Sequence, residues 1–495
     1  MMKTIRILTG SVIFLSLITL ICLGRGQDPQ QKPKGEQKYN KQKKEIKIDD
    51  SDPSEIQEKA FDKFAKSSAS EPKIFPYEIH QQKLSNGLNV VTVPYPSPGI
   101  AAFYIVVRTG SRNEVEPGKT GFAHFFEHMM FRGTEKYPKE KYSNVLKSTG
   151  ASANANTSLD RTLYHMTGDA SKLETMFTIE SDRFKNLAYS MQDFKTEAGA
   201  VKGEYTKNSA NPYSKLNEML QNTAFESHTY KHTTMGFFED IVDMPNQYEY
   251  SREFFNRYYR PEYSTIIVVG DVTADKVNKL ALDYFGDWQR GTYVSTVPAE
   301  PMQTKTKSVN LKKPGFPPYL SLNYKGPAFS ITQKDFPILE ILCAAYFGEN
   351  SDLYTKLVIN EKKLRSIDGD ATVTRDPYLI TIEGSLVDVK DFGYIKNEME
   401  RTLNDSKTKP VDPKLLQEIK ENFRNRMIMQ IDNPTAIAQV LSRFVWVSGN
   451  PESLNVYFGM YDKVTAEEIM SIANKYFVTE RMTIGTISPE ESVKF

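Results

Sequence analysis

Cysteine is almost absent from this sequence. Two residues, Cys22 and Cys343, among 495 cannot build a disulfide framework or a cysteine-rich zinc site. Any bound metal must then be held by histidine and carboxylate. Charge of one sign is absent too: 63 Lys+Arg against 62 Asp+Glu leave a formal net charge of +1. No overall field draws the chain to nucleic acid or to an anionic membrane, and no nucleic-acid partner is expected. Only one apolar run, residues 7–23, approaches membrane-spanning length, so the mature chain is expected to have no membrane span. What is present is an ordinary globular composition, 39% hydrophobic and 25% charged, with 28 Phe and 27 Tyr that argue against wholesale disorder. The length suits two to four domains of roughly 100–200 residues each.

The N-terminus reads as an export segment. Lys3 and Arg6 form a short basic region, and residues 7–23 are apolar apart from Thr9, Gly10, Ser11, Ser16 and Thr19. Gly24-Arg25-Gly26 then supplies the small-x-small pattern that signal peptidase accepts. Cleavage there makes 1–26 a signal peptide and leaves Gln27 first in a periplasmic or secreted chain. The alternative is an uncleaved anchor, since residues 7–23 number 17, near the lower limit for spanning a bilayer. Cys22 offers a lipid-attachment point, a reading weakened by Ile21, which stands where a lipobox wants Gly, Ala or Ser. Residues 27–75 are rich in Gln, Lys, Glu, Asp and Ser and read as a polar tether with one short helix at 53–66.

Folded sequence is expected from Pro76. Residues 80–93 read as strand, turn and strand about Ser85-Asn86-Gly87, and 100–108 as a continuous apolar strand. Helical periodicity marks 121–131, 170–187, 193–207, 250–259 and 274–285, with strands at 161–166 and 264–269. Helices alternate with strands, but hairpin turns accompany them, which indicates α+β rather than a doubly wound sheet. A Pro- and Thr-rich linker, 291–307, separates a first half, 76–290, from a second, 308–495. The second half echoes the first: set 218 positions apart, Asn256-Arg257-Tyr258-Tyr259 faces Asn474-Lys475-Tyr476-Phe477. Glu262, Thr265 and Ile266 likewise face Glu480, Thr483 and Ile484. The expectation is two homologous α+β domains, each a mainly antiparallel sheet with helices on one side, related by internal duplication.

The chemistry concentrates in His124-Phe125-Phe126-Glu127-His128. At about 100° per residue, positions i and i+4 of a helix share a face, so both imidazoles can grip one Zn²⁺ with Glu127 beside them. A metal that acidifies water and polarises a carbonyl, next to a carboxylate that takes and later delivers the proton, is what peptide hydrolysis needs. This is H-E-x-x-H read backwards, the inverzincin pattern. With only six His in the chain, such a pair around a Glu is improbable by composition alone. A third ligand is required, and Glu197 and Glu204 lie two turns apart on a later helical run. One carboxylate can ligate while the other braces the site, although acidic helix faces are usually just solvated.

Taken together these residues resemble the pitrilysin/insulysin family of zinc peptidases, in particular its shorter branch with the mitochondrial processing peptidase subunits. The resemblance runs from about His80 to the C-terminus. It includes Asn154-Ala-Asn-Thr157, Asn211-Pro212, His228-Thr-Tyr230, Gly236, Glu239-Asp240, Tyr259-Arg-Pro261 and Gly270-Asp-Val272. It implies His124, His128 and Glu204 as zinc ligands, Glu127 as general base and Glu197 as a supporting carboxylate at the catalytic centre. It also implies that Asn154 and Ala155 present a strand edge to a peptide substrate, and that such chains pair around a chamber admitting peptides or unfolded segments.

The second half departs from the family pattern. Active relatives carry an Arg and, seven residues later, a Tyr that stabilise the tetrahedral intermediate, a donor role worth ~3–4 kcal/mol of barrier. Here those positions hold Val358 and Arg365, while Arg375 and Tyr378 follow at the wrong spacing. The sequence therefore points to a zinc endopeptidase whose Arg/Tyr pair comes from a homologous partner subunit, or to a homodimer using other donors. The competing readings are a structural or substrate-presenting subunit and a peptide-binding protein that holds zinc without turnover. His165, His228, His232, Trp288, Trp446 and Cys343 are expected to pack rather than react.

Overall fold

The computed structural model describes residues 74–493. The signal segment 1–26 with Cys22, the helix expected at 53–66 and all but the last two residues of the tether lie outside the described residues. The first sheet contains β1 (His80–Lys83), β2 (Asn89–Pro94), β3 (Ile100–Val107), β4 (Ser152–Thr157), β5 (Thr162–Asp169) and β6 (Ser264–Gly270). Its order is β1-β2-β6-β3-β5-β4; only β2 and β6 pair in parallel. After a stretch between Phe285 and Lys307 without helix or strand, the second sheet uses β7 (Lys307–Lys312), β8 (Tyr319–Lys325), β9 (Leu364–Ala371), β10 (Leu379–Leu386) and β11 (Met482–Ser488). Its order is β7-β11-β8-β10-β9, again with one parallel pair, β7 with β11. Without β1, the first order is the second repeated strand for strand. The 218-residue offset holds for elements as well: helices Tyr248–Tyr258 and Ala466–Tyr476 lead into β6 and β11, starting 466 − 248 = 218 and 482 − 264 = 218 positions apart.

Strand alternation assigns each face of the first sheet to a different core. Phe103, Ile105, Tyr164, Met166, Ile266 and Val268 face the domain's own helices, including α1 (Phe122–Met129) and α2 (Met191–Ser209). Ala102, Tyr104, Val106, Leu163, Ile267 and Val269 face the other way, into a core shared with the second domain. There each sheet receives one helix from its neighbour. Helix α3 (Pro212–Ala224), from the first domain, lies on β7 and β11, while α4 (Pro434–Ser448), from the second, lies on β3 and β6. Tyr104 Oη and Thr167 Oγ1 bond Thr435 of α4 at 3.3 and 2.9 Å. Both exchanged helices start alike, with Asn211 and Asn433 as N-caps and Pro at the first helical position, where the missing N–H costs nothing. The expected one-sided helical layer is thus each domain's own, and the reciprocal helix completes the second side. Helices Lys139–Ser148 and Pro212–Ala224 are additions to those the periodicity marks.

Candidate metal centre

Helix α1 forms where apolar residues recur at helical spacing. Phe122, Phe125, Phe126 and Met129 are fully buried, and the Phe126 and Phe254 rings stack at 5.6 Å. That leaves His124, Glu127 and His128 on the opposite face. The helix begins at Gly121, which has a φ of 90°. A Cβ there would lie 2.4 Å from Ile241 Cδ1, which would have to shift, and the left-handed backbone itself favours glycine. In place of a capping side chain, buried Glu114 accepts from the N–H groups of Gly121 (2.8 Å) and Ala123 (2.7 Å). Burial pushes Glu114 up to about 8 against those two bonds, and pushes neighbouring His232 down to about 4.

Helix α2 starts in a capping box of Ser190 and Asp193 and turns both of its glutamates toward α1. His124 Nε2 lies 3.7 Å and His128 Nε2 3.2 Å from Glu204 Oε2. One ligand atom from each of the three lies within 4.8 Å of the others. Ligand atoms of a tetrahedral zinc at ~2.0–2.1 Å are ~3.4 Å apart, and two imidazoles with one carboxylate are a hydrolytic donor set. The residues present fit the ion. Glu197 stays outside this trio: it bonds His128 Nδ1 at 2.9 Å and Arg132 Nε at 2.5 Å, fixing the ring with Nε2 aimed at Glu204. Bonds from Glu197 and Glu204 hold His128 up at about 9, whereas burial drives His124 down. The His128 bond holds Glu204 below its usual range, and the His128 and Arg132 bonds outweigh burial to do the same for Glu197. His124 Nδ1 is buried without a partner, so the two histidines are anchored unequally.

Glu127 projects beside the trio, and its Oε2 accepts from Thr157 Oγ1 at 2.7 Å. A cavity of about 270 Å³ opens here, lined by Glu127, His128, Arg132, Asn154 and Glu197 among others. It is bounded by β4, the edge strand of its sheet. Of the two residues expected to meet substrate, Asn154 is exposed on the cavity wall, while the Ala155 side chain is buried in the core. Ala155 can therefore offer only its main chain. The roles of Arg132 and Arg161 were not legible as motifs. Arg132 lies four residues past His128, the one signal available. Arg161 grips the Asn156 carbonyl at 2.8 Å and its side chain, and burial lowers it to about 10.

The second domain brings no Arg/Tyr pair to this centre among the described residues. Val358 sits in the π-helical turn Thr355–Asn360 against the second core. Arg365, the second residue of β9, is exposed, with Nε 3.3 Å from the Leu386 carbonyl. Buried Tyr378 accepts from Gln221 Nε2 at 2.6 Å, and the Arg375 backbone N–H bonds Asp160 Oδ2 at 3.0 Å; both residues serve the contact between domains. The remaining expectations concern packing. His165 stacks on Tyr104 at 5.1 Å, and His228 Nε2 bonds Asp376 at 2.9 Å. Trp288 and Cys343 are buried, and Trp446 packs against the second core.

Two family models match in succession along the chain: insulinase (peptidase family M16) over residues 89–236 and peptidase M16 inactive domain over 247–423. The chain belongs to the M16 peptidase family. The zinc protease PqqE of Helicobacter pylori is 26% identical over 416 residues, 82% of this chain and 92% of that protein. The mitochondrial-processing peptidase subunit beta of Caenorhabditis elegans is 28% identical over 45% of this chain and 48% of its own length. A crystal structure of a protease from Helicobacter pylori superposes with a TM-score of 0.78 at 25% identity, covering 84% of this chain and 100% of that one. The periplasmic protease PqqL of Escherichia coli shares the fold, with a TM-score of 0.68 at 17% identity over 84% of this chain and 48% of that one. M16 membership makes the chain a metallopeptidase relative with two domains of mixed α and β structure. Among the described residues no helix is long and apolar enough to cross a membrane.

Proposed function

We propose that this chain is a zinc-dependent endopeptidase acting on peptides or unfolded segments. The observation that carries the reading is the convergence of His124, His128 and Glu204 from two helices, with Glu127 on the same face of the first. His124, His128 and Glu204 would hold the ion. When bound, it supplies Lewis-acid polarisation of the scissile carbonyl and of the attacking water. Glu127 takes a proton from that water at the carboxylate oxygen that Thr157 leaves open, then passes it to the nitrogen of the leaving amine. Asn154 and the outer edge of β4 align the extended substrate by main-chain pairing, which suits tolerance of sequence. Glu197, through His128 Nδ1, keeps the ligand ring in place.

The second reading rests on Val358 and Arg365. Neither position supplies the expected pair of donors for the developing oxyanion, so this chain is one half-site of a two-chain enzyme. A homologous partner brings the Arg/Tyr pair, or a second copy brings other donors. Export follows from the N-terminal segment, and the PqqL fold relative is described as periplasmic. Zinc analysis tests the ligand assignment: the purified chain is expected to hold about one zinc, and Glu204→Gln to lose most of it. Full zinc in that variant would remove Glu204 from the ligand set, and a wild type that takes up none would end the enzyme reading.

A further inference from the structure

Glu127 has one hydrogen-bond partner among the described residues, the hydroxyl of Thr157 at 2.7 Å. The two come from different elements, the base from α1 and the hydroxyl from the last residue of β4. Strand β4 is held in register by pairing with β5, Thr157 opposite Thr162, and Thr162 Oγ1 donates in turn to the Thr109 carbonyl at 3.0 Å. Arg161 bonds the Asn156 carbonyl at 2.8 Å on the residue before Thr157. Thr157 is therefore a fixed point, whereas a Glu side chain left alone samples several rotamers. The same strand carries Asn154 into the cavity.

We propose that Thr157 is a positioning residue: its hydroxyl locks the Glu127 carboxylate in one rotamer and ties the base to the strand along which substrate is laid. The inference rests on the reading of Glu127 as general base. The bond occupies Oε2 and leaves Oε1 to face the water, so the distance from base to scissile bond is set by the register of β4. Misplacing a catalytic group by about 1 Å can cost on the order of a hundredfold in rate. The loss belongs to kcat, because the substrate's contacts with β4 are untouched.

Thr157→Val keeps the branched shape and deletes the donor, while Thr157→Ser keeps the donor. The test is hydrolysis of one unstructured peptide by the full chain in the assembly that gives the highest turnover, with zinc content and melting temperature measured alongside. The expected result is a kcat on the order of 10- to 100-fold lower for Thr157→Val at unchanged KM, zinc and melting temperature, with Thr157→Ser restored to near wild type. In the Glu127→Gln background, Thr157→Val is expected to cause no further loss. Wild-type kcat in Thr157→Val, or a loss confined to KM, would overturn the proposal while a dead Glu127→Gln left the underlying reading standing. Glu127→Gln at full rate, or a wild type without turnover in any assembly, would overturn that reading and the proposal with it.

Discussion

At the scale of single residues, the site is organised around unequal histidines. His128 is bonded on both ring nitrogens by Glu197 and Glu204 and titrates at about 9 in the metal-free protein, whereas burial lowers His124. Because the folded value of His128 lies above its ordinary 6.5, its contribution to stability is complete below pH 6.5 and fades as pH rises through 9. Metal-free wild type is thus expected to lose melting temperature between about pH 6.5 and 9.5 relative to metal-free His128→Asn. Zinc should abolish the difference in slope, since a ligating imidazole carries no proton on the metal-bound nitrogen. Equal slopes for the two metal-free proteins, followed by thermal melts, would contradict the assigned His128 partners.

At the scale of elements, the helix that carries the motif is placed by its first residue. Gly121 takes φ 90°, and a Cβ would meet Ile241 Cδ1 at 2.4 Å. Gly121→Ala should cost roughly 2–5 kcal/mol from left-handed strain and overpacking. It should also weaken zinc binding, because Glu114 anchors the same turn. Urea unfolding and zinc titration check this, and a cost under about 0.5 kcal/mol would show that the turn relaxes freely. Much of this level was legible in the sequence. Helix Ala274–Phe285 matches its expected bounds, and α1, α2 and the first three strands lie within two or three residues of theirs, since periodicity and turn residues are local signals. The pairing of Glu204 with the two histidines was legible only through the family resemblance, because spacing alone says nothing of how α2 lies against α1. Arg132 and the exchange of α3 and α4 were not legible, being products of packing between segments far apart in the chain.

At the scale of the whole molecule, the duplication builds two sheets that each borrow a helix, and a buried ion cluster joins them. Arg112 pairs with Asp376 at 2.5 Å, His228 bonds the same carboxylate at 2.9 Å, and Tyr230 Oη donates to Asp160 at 2.6 Å. Beside α4 and the shared core, the second domain thus also meets the first through the loop at Arg375 and Asp376. On the half-site reading proposed above, a deficit of ~3–4 kcal/mol of oxyanion stabilisation makes the isolated chain turn over several hundredfold more slowly than a complete enzyme. A homologous subunit with the Arg/Tyr pair but no zinc motif should restore the rate in an equimolar mixture. Full activity from the chain alone, unchanged by substitution of Val358 or Arg365, would instead point to donors elsewhere in this chain or its second copy. The central claim is that Glu127 acts as the base beside an ion held by His124, His128 and Glu204. It is tested most directly by peptide hydrolysis by zinc-loaded wild type and zinc-loaded Glu127→Gln in the same assembly. The account predicts equal zinc and a fall of at least about a hundredfold in the variant; equal zinc and equal rates would contradict it.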